Sequence, residues 1–158
     1  MDFDEFYAAH YADLIVQIYV YFGDRQKTQD LVQEAFCRAY ARWGRLRDHD
    51  DPVAWVRRVA WNLARSRGRR GLTIRRFLCR DHAEALVAGP GPDRVALMVA
   101  LAGLPDRQRR AVVMHYLADM SVTEIADHED VSEGTVKSWL HRGRAALGAQ
   151  PLPEVPRD

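Results

Sequence analysis

The chain has 158 residues, of which 47% are hydrophobic and 28% charged, and this fits one ordinary globular domain or two small ones. No apolar run approaches the roughly 20 residues of a transmembrane helix, and the 2 cysteines lack the spacing of a zinc site or a disulfide framework, so we expect a cytoplasmic protein. The formal net charge is only +1, but residues 52–80 hold 9 arginines and no acidic residue, which favours a polyanionic partner.

Helical periodicity extends over most of the chain, and no segment alternates polar and apolar residues as a half-buried strand does. In the first half, Gly23 is expected to end one helix and Asp24 to cap the next. Asp51 followed by Pro52 is typical of the start of a third helix. The helices predicted for this half cover residues 4–22, 24–43, 52–67 and 73–86.

Two prolines and two glycines fill residues 89–92 and disfavour regular structure there. Beyond them, Ser121 and Glu124 form a capping box, Asp130 suits a tight turn, and Asp93 and Ser132 are candidate helix caps. The helices predicted for this half cover residues 93–103, 105–117, 121–129 and 132–147. We therefore predict an all-α fold of two small helical domains, residues 1–87 and 93–149, with a short flexible linker at 88–92 and a disordered tail at 150–158.

The predicted helix over residues 52–67 is apolar on one side and strongly basic on the other. Its expected apolar face comprises Val56, Val59, Ala60 and Leu63. Arginines neutralise phosphates, and exposed Trp and Asn side chains stack on unpaired bases or hydrogen-bond to them. We therefore predict a surface for single-stranded or melting DNA, with Trp61 exposed and Trp55 either exposed or in the core. Its candidate residues are Trp55, Arg57, Arg58, Trp61, Asn62, Arg65, Arg67, Arg69 and Arg70.

The last two predicted helices form a helix-turn-helix signal. On the final helix, an apolar stripe recurs at spacings of four, three and four residues, at Val136, Leu140, Gly143 and Leu147. A helix that is apolar behind and cationic in front suits the major groove of DNA, where Arg and Lys reach guanine edges and phosphates. The candidate DNA contacts are Ser132, Thr135, Lys137, Ser138, Trp139, His141, Arg142 and Arg144.

The helix that Asp24 caps is amphipathic. Its expected core stripe comprises Val32, Phe36, Ala39, Tyr40 and Trp43. Its polar face comprises Asp30, Gln33, Glu34 and Arg38, flanked by Leu31. Amphipathicity alone indicates an ordinary packed helix. Only the exact residues of this helix give information about its function.

Three sequence strings give this functional information: Asp-Leu-Val-Gln-Glu-Ala-Phe at 30–36, Ala-Trp-Val-Arg-Arg-Val-Ala at 54–60, and Ser-Glu-Gly-Thr-Val-Lys-Ser at 132–138. A Leu-Pro pair at 104–105 and Glu-Ile-Ala at 124–126 stand between the last two. In this order the strings closely resemble the extracytoplasmic-function (ECF) class of bacterial sigma factors, over about residues 5 to 148. The high Arg and Ala content is similar to an actinobacterial, SigE-like group within the class.

The resemblance implies a role for each surface. The face with Asp30, Leu31, Gln33, Glu34 and Arg38 would bind the β′ clamp helices of core RNA polymerase, and the β flap would be a further contact. The basic helix would open the minus-ten promoter element, with Asn62 at a flipped base, and the last helix would recognise the minus-thirty-five element. The resemblance also implies no catalysis and no cofactor, and it allows an anti-sigma partner.

Two other functions are compatible with parts of the sequence. A stand-alone helix-turn-helix regulator that binds DNA as a dimer would explain the C-terminal half, but neither the 30–36 string nor the arginine block. A helical hydrolase or metal enzyme could use some of the 6 histidines. These histidines lack ligand-like spacing, however, and the chain has no phosphate-binding loop or nucleophile motif.

Overall fold

The computed structural model describes residues 1–68 and 92–149, and within them every regular element is a helix. The first range contains α1 (Phe3–Phe22), α2 (Arg25–Ala41), α3 (Trp43–Leu46) and α4 (Pro52–Gly68). The second contains α5 (Pro92–Ala102), α6 (Asp106–Tyr116), α7 (Val122–Glu129) and α8 (Glu133–Gly148). The two ranges belong to separate compact units, which confirms the predicted fold class. The predicted helix at 73–86, the tail, and all but the last residue of the linker lie outside the described residues.

Local capping sets the helix ends of the first unit. Asp2 and Glu5 form a reciprocal capping box, in which each carboxylate accepts a hydrogen bond from the other residue's backbone N–H. Gly23 ends α1 in the left-handed conformation with φ of 86°, and Asp24 then accepts from the backbone N–H of Lys27 to cap α2. Most predicted boundaries are therefore confirmed, but α2 ends at Ala41 and the short α3 follows it.

Helices α1, α2 and α4 pack against one another around an apolar core. The side chains that are almost fully buried there include Phe6, Ile18, Leu31, Val32, Phe36, Val56 and Trp61. None of the helices in the described ranges combines the length and apolarity needed to cross a bilayer.

Helix α4 is rotated about its axis relative to the orientation expected from the sequence. Its buried residues are Val56, Ala60, Trp61 and Ala64, whereas Val59 and Leu63 are only half-buried. The indole of Trp61 lies in the core with its ring centroid 5.1 Å from that of Tyr21 on α1. Because an indole carries far more apolar area than an aliphatic side chain, burying it stabilises this rotation.

Tyr40 also differs from expectation. It was predicted in the core stripe of α2, but its side chain is 67% exposed. Its ring contacts the edge of Phe3, at a centroid distance of 5.0 Å, and the rings of Phe3 and Phe6 both lie against Trp43. The start of α1 therefore fills the place that Tyr40 was expected to take.

The second unit contains the predicted helix-turn-helix. Ser121 and Glu124 form the capping box of α7, and Ser132 caps α8 by accepting from the backbone N–H of Thr135. Between these helices Asp130 adopts the left-handed conformation, with φ of 55°. At α5, the helix begins at Pro92, one residue before the predicted start, so Asp93 lies inside the first turn instead of capping it.

Helices α6 and α8 cross closely at Gly143. A Cβ atom at this position would lie 2.7 Å from Cγ2 of Val112 on α6, closer than packed carbon atoms approach one another. The crossing therefore depends on glycine, and it fixes the separation of the two helices.

Replacing Gly143 with alanine should destabilise the protein by about 1–3 kcal/mol, because the added methyl group overpacks this contact. The matched control is Gly148→Ala at the end of the same helix, where an added Cβ meets no atom within 4 Å. That change should leave stability equal or slightly higher. Urea unfolding followed by circular dichroism measures both, and an equal response of the two variants would contradict the close crossing.

Candidate nucleic-acid interface

The polar face of α2 lies on the surface of the first unit. Asp30, Gln33 and Arg38 are exposed, as the amphipathic pattern indicates. Gln26 donates from Nε2 to Oδ1 of Asp30 at 3.1 Å, and the hydroxyl of Tyr7 on α1 donates to Oε1 of Gln33 at 3.0 Å. Tyr7 thus extends this face onto α1. No local pattern in the sequence indicates this contact, because it joins residues in different helices.

Leu31 does not belong to this exposed face. Its side chain is 0% exposed and packs in the core, so the prediction that it flanks the exposed polar face is wrong. Its contact with polymerase stays a prediction. The helical wheel placed it at the edge of the polar face, but α1 and α4 both pack on α2 and cover that edge.

Glu34 joins the face of α2 to the basic helix α4. Its Oε1 accepts from Nη2 of Arg38 at 2.6 Å, and its Oε2 accepts from Nη2 of Arg67 in the last turn of α4. Burial raises the pKa of this carboxyl, but the hydrogen bonds from Arg67 and Arg38 outweigh that effect and lower the pKa below its ordinary value. Each carboxylate oxygen of Glu34 therefore has a hydrogen-bond donor within the first unit.

On α4 the predicted DNA-binding residues fall into three groups. Arg58 and Asn62 are exposed, while Trp55, Arg57, Arg65 and Arg67 are half-buried. Trp61 is 0% exposed, so the prediction that its ring is exposed is wrong, and the rotation of α4 toward Tyr21 is the reason. Base stacking by Trp61 stays a prediction. Arg69 and Arg70 lie outside the described residues.

An open pocket of about 800 Å³ lies beside α4. The guanidinium carbon of Arg42 lies 5.9 Å from the centroid of the Trp55 ring, which is within cation–π range. The pocket is lined by Ala41, Arg42, Gly44, Arg45, Leu46, His49 and Trp55. An aromatic ring with two nearby guanidinium groups suits a planar base and its phosphate. Of these residues, the sequence had indicated only Trp55.

On α8 the predicted apolar stripe is largely confirmed. Val136, Leu140 and Gly143 are buried, and Leu147 is half-buried at the end of the helix. The exposed cations and polar groups on the other sides are Lys137, His141, Arg142 and Arg144, whereas Ser138, Trp139 and Thr135 are half-buried. The Ser132 hydroxyl serves the helix cap, so this side chain has a structural role besides any contact with DNA.

Arg144 has a partner on another helix. Its Nη1 donates to the hydroxyl oxygen of Tyr116, at the end of α6, at 2.9 Å. Tyr116 is 50% exposed although it is a large aromatic residue. Sequence reasoning missed this contact, since the two residues are 28 positions apart.

A buried ion pair holds α7, the first helix of the helix-turn-helix, against α6. Arg110 on α6 donates from Nε and Nη2 to the two oxygens of Glu129 on α7, each at 2.6 Å, and both side chains are 3% exposed. Burial raises the pKa of Glu129, but the adjacent His128 imidazole, with Nδ1 3.5 Å from Oε1, and the hydrogen bonds from Arg110 outweigh that effect and lower the pKa to about 2. The pair holds α7 against α6, and α7 in turn supports α8.

Comparison with known proteins agrees with this architecture. The family described as Sigma-70 region 2 matches residues 6–71, and the family described as Sigma-70, region 4 matches residues 94–147. The RNA polymerase sigma-E factor of Streptomyces coelicolor is 36% identical over 131 residues, which cover 78% of this chain and 71% of that protein. The ECF RNA polymerase sigma factor SigW of Bacillus subtilis is 29% identical over 164 residues, covering 89% and 84% of the two chains.

Two solved structures share the fold. The sigma factor RpoE from Bartonella quintana, determined in complex with the anti-sigma factor NepR, has a TM-score of 0.72 at 21% identity and covers 94% of this chain and 95% of its own. CnrH, determined in complex with the cytosolic domain of CnrY, has a TM-score of 0.67 at 22% identity, with 93% and 85% covered. A stand-alone dimeric regulator would leave the match of the first unit unexplained. The chain belongs to the sigma-70 family of RNA polymerase sigma factors, within its extracytoplasmic-function class.

Proposed function

We propose that this sigma factor uses three helical surfaces in transcription initiation. Helix α2 docks on core RNA polymerase, α4 with its pocket binds the minus-ten element, and α8 recognises the minus-thirty-five element. The observation that carries the proposal is that the matches to sigma-70 regions 2 and 4 fall on helices that bury their apolar side and leave a polar or cationic side exposed. The α2 and α4 surfaces lie in the part of the chain that matches sigma-70 region 2, and the α8 surface lies in the part that matches region 4. The protein itself catalyses nothing, needs no cofactor, and works in the cytoplasm.

The docking surface consists of Asp30, Gln33 and the neighbouring Tyr7. Asp30 and Gln33 are exposed, and the hydroxyl of Tyr7 fixes the orientation of the Gln33 amide. Exposed hydrogen-bonding groups on one rigid helix suit a helical partner such as the β′ clamp helices of the polymerase. Glu34 and Arg38 border this surface, but Glu34 also holds Arg67, so its role there is partly internal.

The minus-ten surface combines Arg58 and Asn62 on α4 with the pocket at Arg42 and Trp55. The cations attract the phosphate backbone, and the pocket accepts a base that has left the duplex. Opening about ten base pairs costs roughly 1.4 kcal/mol per step. We expect contacts made by the polymerase to supply much of the compensation, so the isolated protein should not hold open DNA by itself.

The minus-thirty-five surface is the exposed side of α8. Lys137, Arg142 and Arg144 supply positive charge, while His141 and the half-buried Ser138 and Trp139 add polar and apolar groups that distinguish bases. The unit that carries α8 would also meet the β flap of the polymerase. An anti-sigma factor is a further proposed partner, by analogy with RpoE of Bartonella quintana in its complex with NepR.

Substituting the docking surface should weaken binding to core polymerase. In an Asp30→Lys, Gln33→Ala double variant we expect affinity to fall at least about tenfold, since hot-spot residues of interfaces cost 2 kcal/mol or more when removed. Gel filtration of the protein with core polymerase from its own host measures the effect. Glu34 is left unchanged because its loss would also release Arg38 and Arg67.

The control is Asp13→Lys, an identical charge change at an exposed position of α1. This variant should co-elute with polymerase as the wild type does. If the folded wild-type protein failed to co-elute, the docking proposal would be overturned, and palindromic DNA binding by a dimer would have to be tested instead. If the double variant co-eluted normally, the docking surface would lie elsewhere on the first unit.

A further inference from the structure

Tyr116 lies where the close crossing of α6 and α8 brings it within reach of the DNA-recognition helix. Val112, one turn earlier on α6, contacts the position of Gly143, and Arg144 is the next residue on α8. Because Gly143 has no side chain, α6 and α8 approach each other closely. At this separation the Tyr116 hydroxyl accepts a hydrogen bond from Nη1 of Arg144 at 2.9 Å.

The ring of Tyr116 is itself held in place. The imidazole of His115 packs edge-on against it, with centroids 4.8 Å apart and planes at 81°. Nδ1 of His115 lies 2.9 Å from the carbonyl oxygen of Met120 in the loop before α7. Because a carbonyl oxygen only accepts, Nδ1 carries the proton and donates to it. These contacts fix the ring of Tyr116, and with it the position of the hydroxyl oxygen, although Tyr116 is exposed.

We propose that Tyr116 is a positioning residue for promoter recognition: its hydroxyl orients Arg144 toward a DNA phosphate beside the minus-thirty-five element. The proposal rests on the function proposed above for α8. Arginine carries five N–H donors in a rigid fork, and the hydroxyl takes up only one of them. The remaining donors on the guanidinium have no hydrogen-bond partner among the described residues, and they can form paired hydrogen bonds with a phosphate. An exposed arginine that has no hydrogen bond to a neighbouring side chain loses side-chain entropy when it binds DNA. The hydrogen bond to Tyr116 restricts Arg144 before binding, so less entropy is lost on binding.

The test is a double-variant cycle in the holoenzyme. Binding of the full-length protein with core polymerase to promoter DNA is measured over a range of salt concentrations, for Tyr116→Phe, Arg144→Gln and the double variant. Tyr116→Phe keeps the ring and should weaken binding about threefold, the value of one hydrogen bond. It should also reduce the slope of log affinity against log salt, by less than the reduction of about 0.9 expected for Arg144→Gln. The double variant should bind no more weakly than Arg144→Gln.

Lys137→Gln is the matched control for coupling, since Lys137 lies on the same helix but forms no hydrogen bond with Tyr116 in the described structure. Combined with Tyr116→Phe, its effect should multiply, because independent sites are additive in free energy. The inference would be overturned if Tyr116→Phe bound equally well or more tightly, or if its effect multiplied with that of Arg144→Gln. If Arg144→Gln itself had no effect, the role proposed for Arg144 and this inference would both fail, while normal co-elution with polymerase would leave the docking proposal intact.

Discussion

Replacing Glu129 with glutamine should destabilise the helix-turn-helix unit by about 3–5 kcal/mol, because the buried Arg110 would lose the carboxylate that binds its Nε and Nη2 groups. Glutamine keeps the shape of the side chain, so the loss measures charge and hydrogen bonding instead of volume. Urea unfolding of the full-length protein measures the change. The control is Asp106→Asn, since Asp106 also accepts from Arg110 at 2.6 Å but is 52% exposed. Exposed ion pairs contribute about 1 kcal/mol or less, so equal losses in the two variants would contradict this account.

The same variant predicts how stability depends on pH. The pKa of Glu129 is lowered from 4.5 to about 2 in the folded protein, so its ionised form stabilises the fold fully above the unfolded value. That contribution is lost as the pH falls from about 4.5 through about 2. The difference in unfolding midpoint between wild type and Glu129→Gln should therefore be constant between neutral pH and about pH 5, and shrink below it. A difference that grew on acidification would show that another group controls it.

Features that depend on neighbouring residues could be predicted from the sequence. The caps at Asp24, Ser121 and Ser132 and the turn at Asp130 each involve groups within a few positions of one another, and the structure confirms them. The stripe of Val136, Leu140 and Gly143 could also be predicted, because only one side of α8 offers apolar residues at helical spacing.

Features that depend on packing between helices could not be predicted in this way. The ion pairs Arg110–Glu129 and Glu34–Arg67 join residues 19 and 33 positions apart, and nothing local distinguishes these charges from others. On α4 two stripes with helical spacing compete, one through Val59 and Leu63 and the other through Trp61 and Ala64. The choice between them depends on the surface that α1 presents, and Tyr21 on that helix packs against Trp61.

Truncating Trp61 to alanine should therefore destabilise the first unit by about 3–5 kcal/mol, as expected for a buried large aromatic residue. Trp61→Phe should cost less, because phenylalanine fills most of the space and no hydrogen bond is lost. Nε1 of Trp61 is buried and has no hydrogen-bond partner among the described residues. Urea unfolding followed by circular dichroism gives the loss of stability for each variant.

Trp55 provides the contrast that separates a core role from a DNA role. It is half-buried and lines the pocket beside Arg42, so Trp55→Ala should lower stability less than Trp61→Ala and reduce open-complex formation by the holoenzyme more than Trp61→Phe does. Loss of one stacked base costs about 1–3 kcal/mol, which is a defect of about fivefold to 150-fold. If Trp61→Phe stayed fully stable yet failed to open the promoter, the indole of Trp61 would have to leave the core during melting. A stable, active Trp61→Phe variant instead assigns base stacking in this unit to the pocket at Trp55.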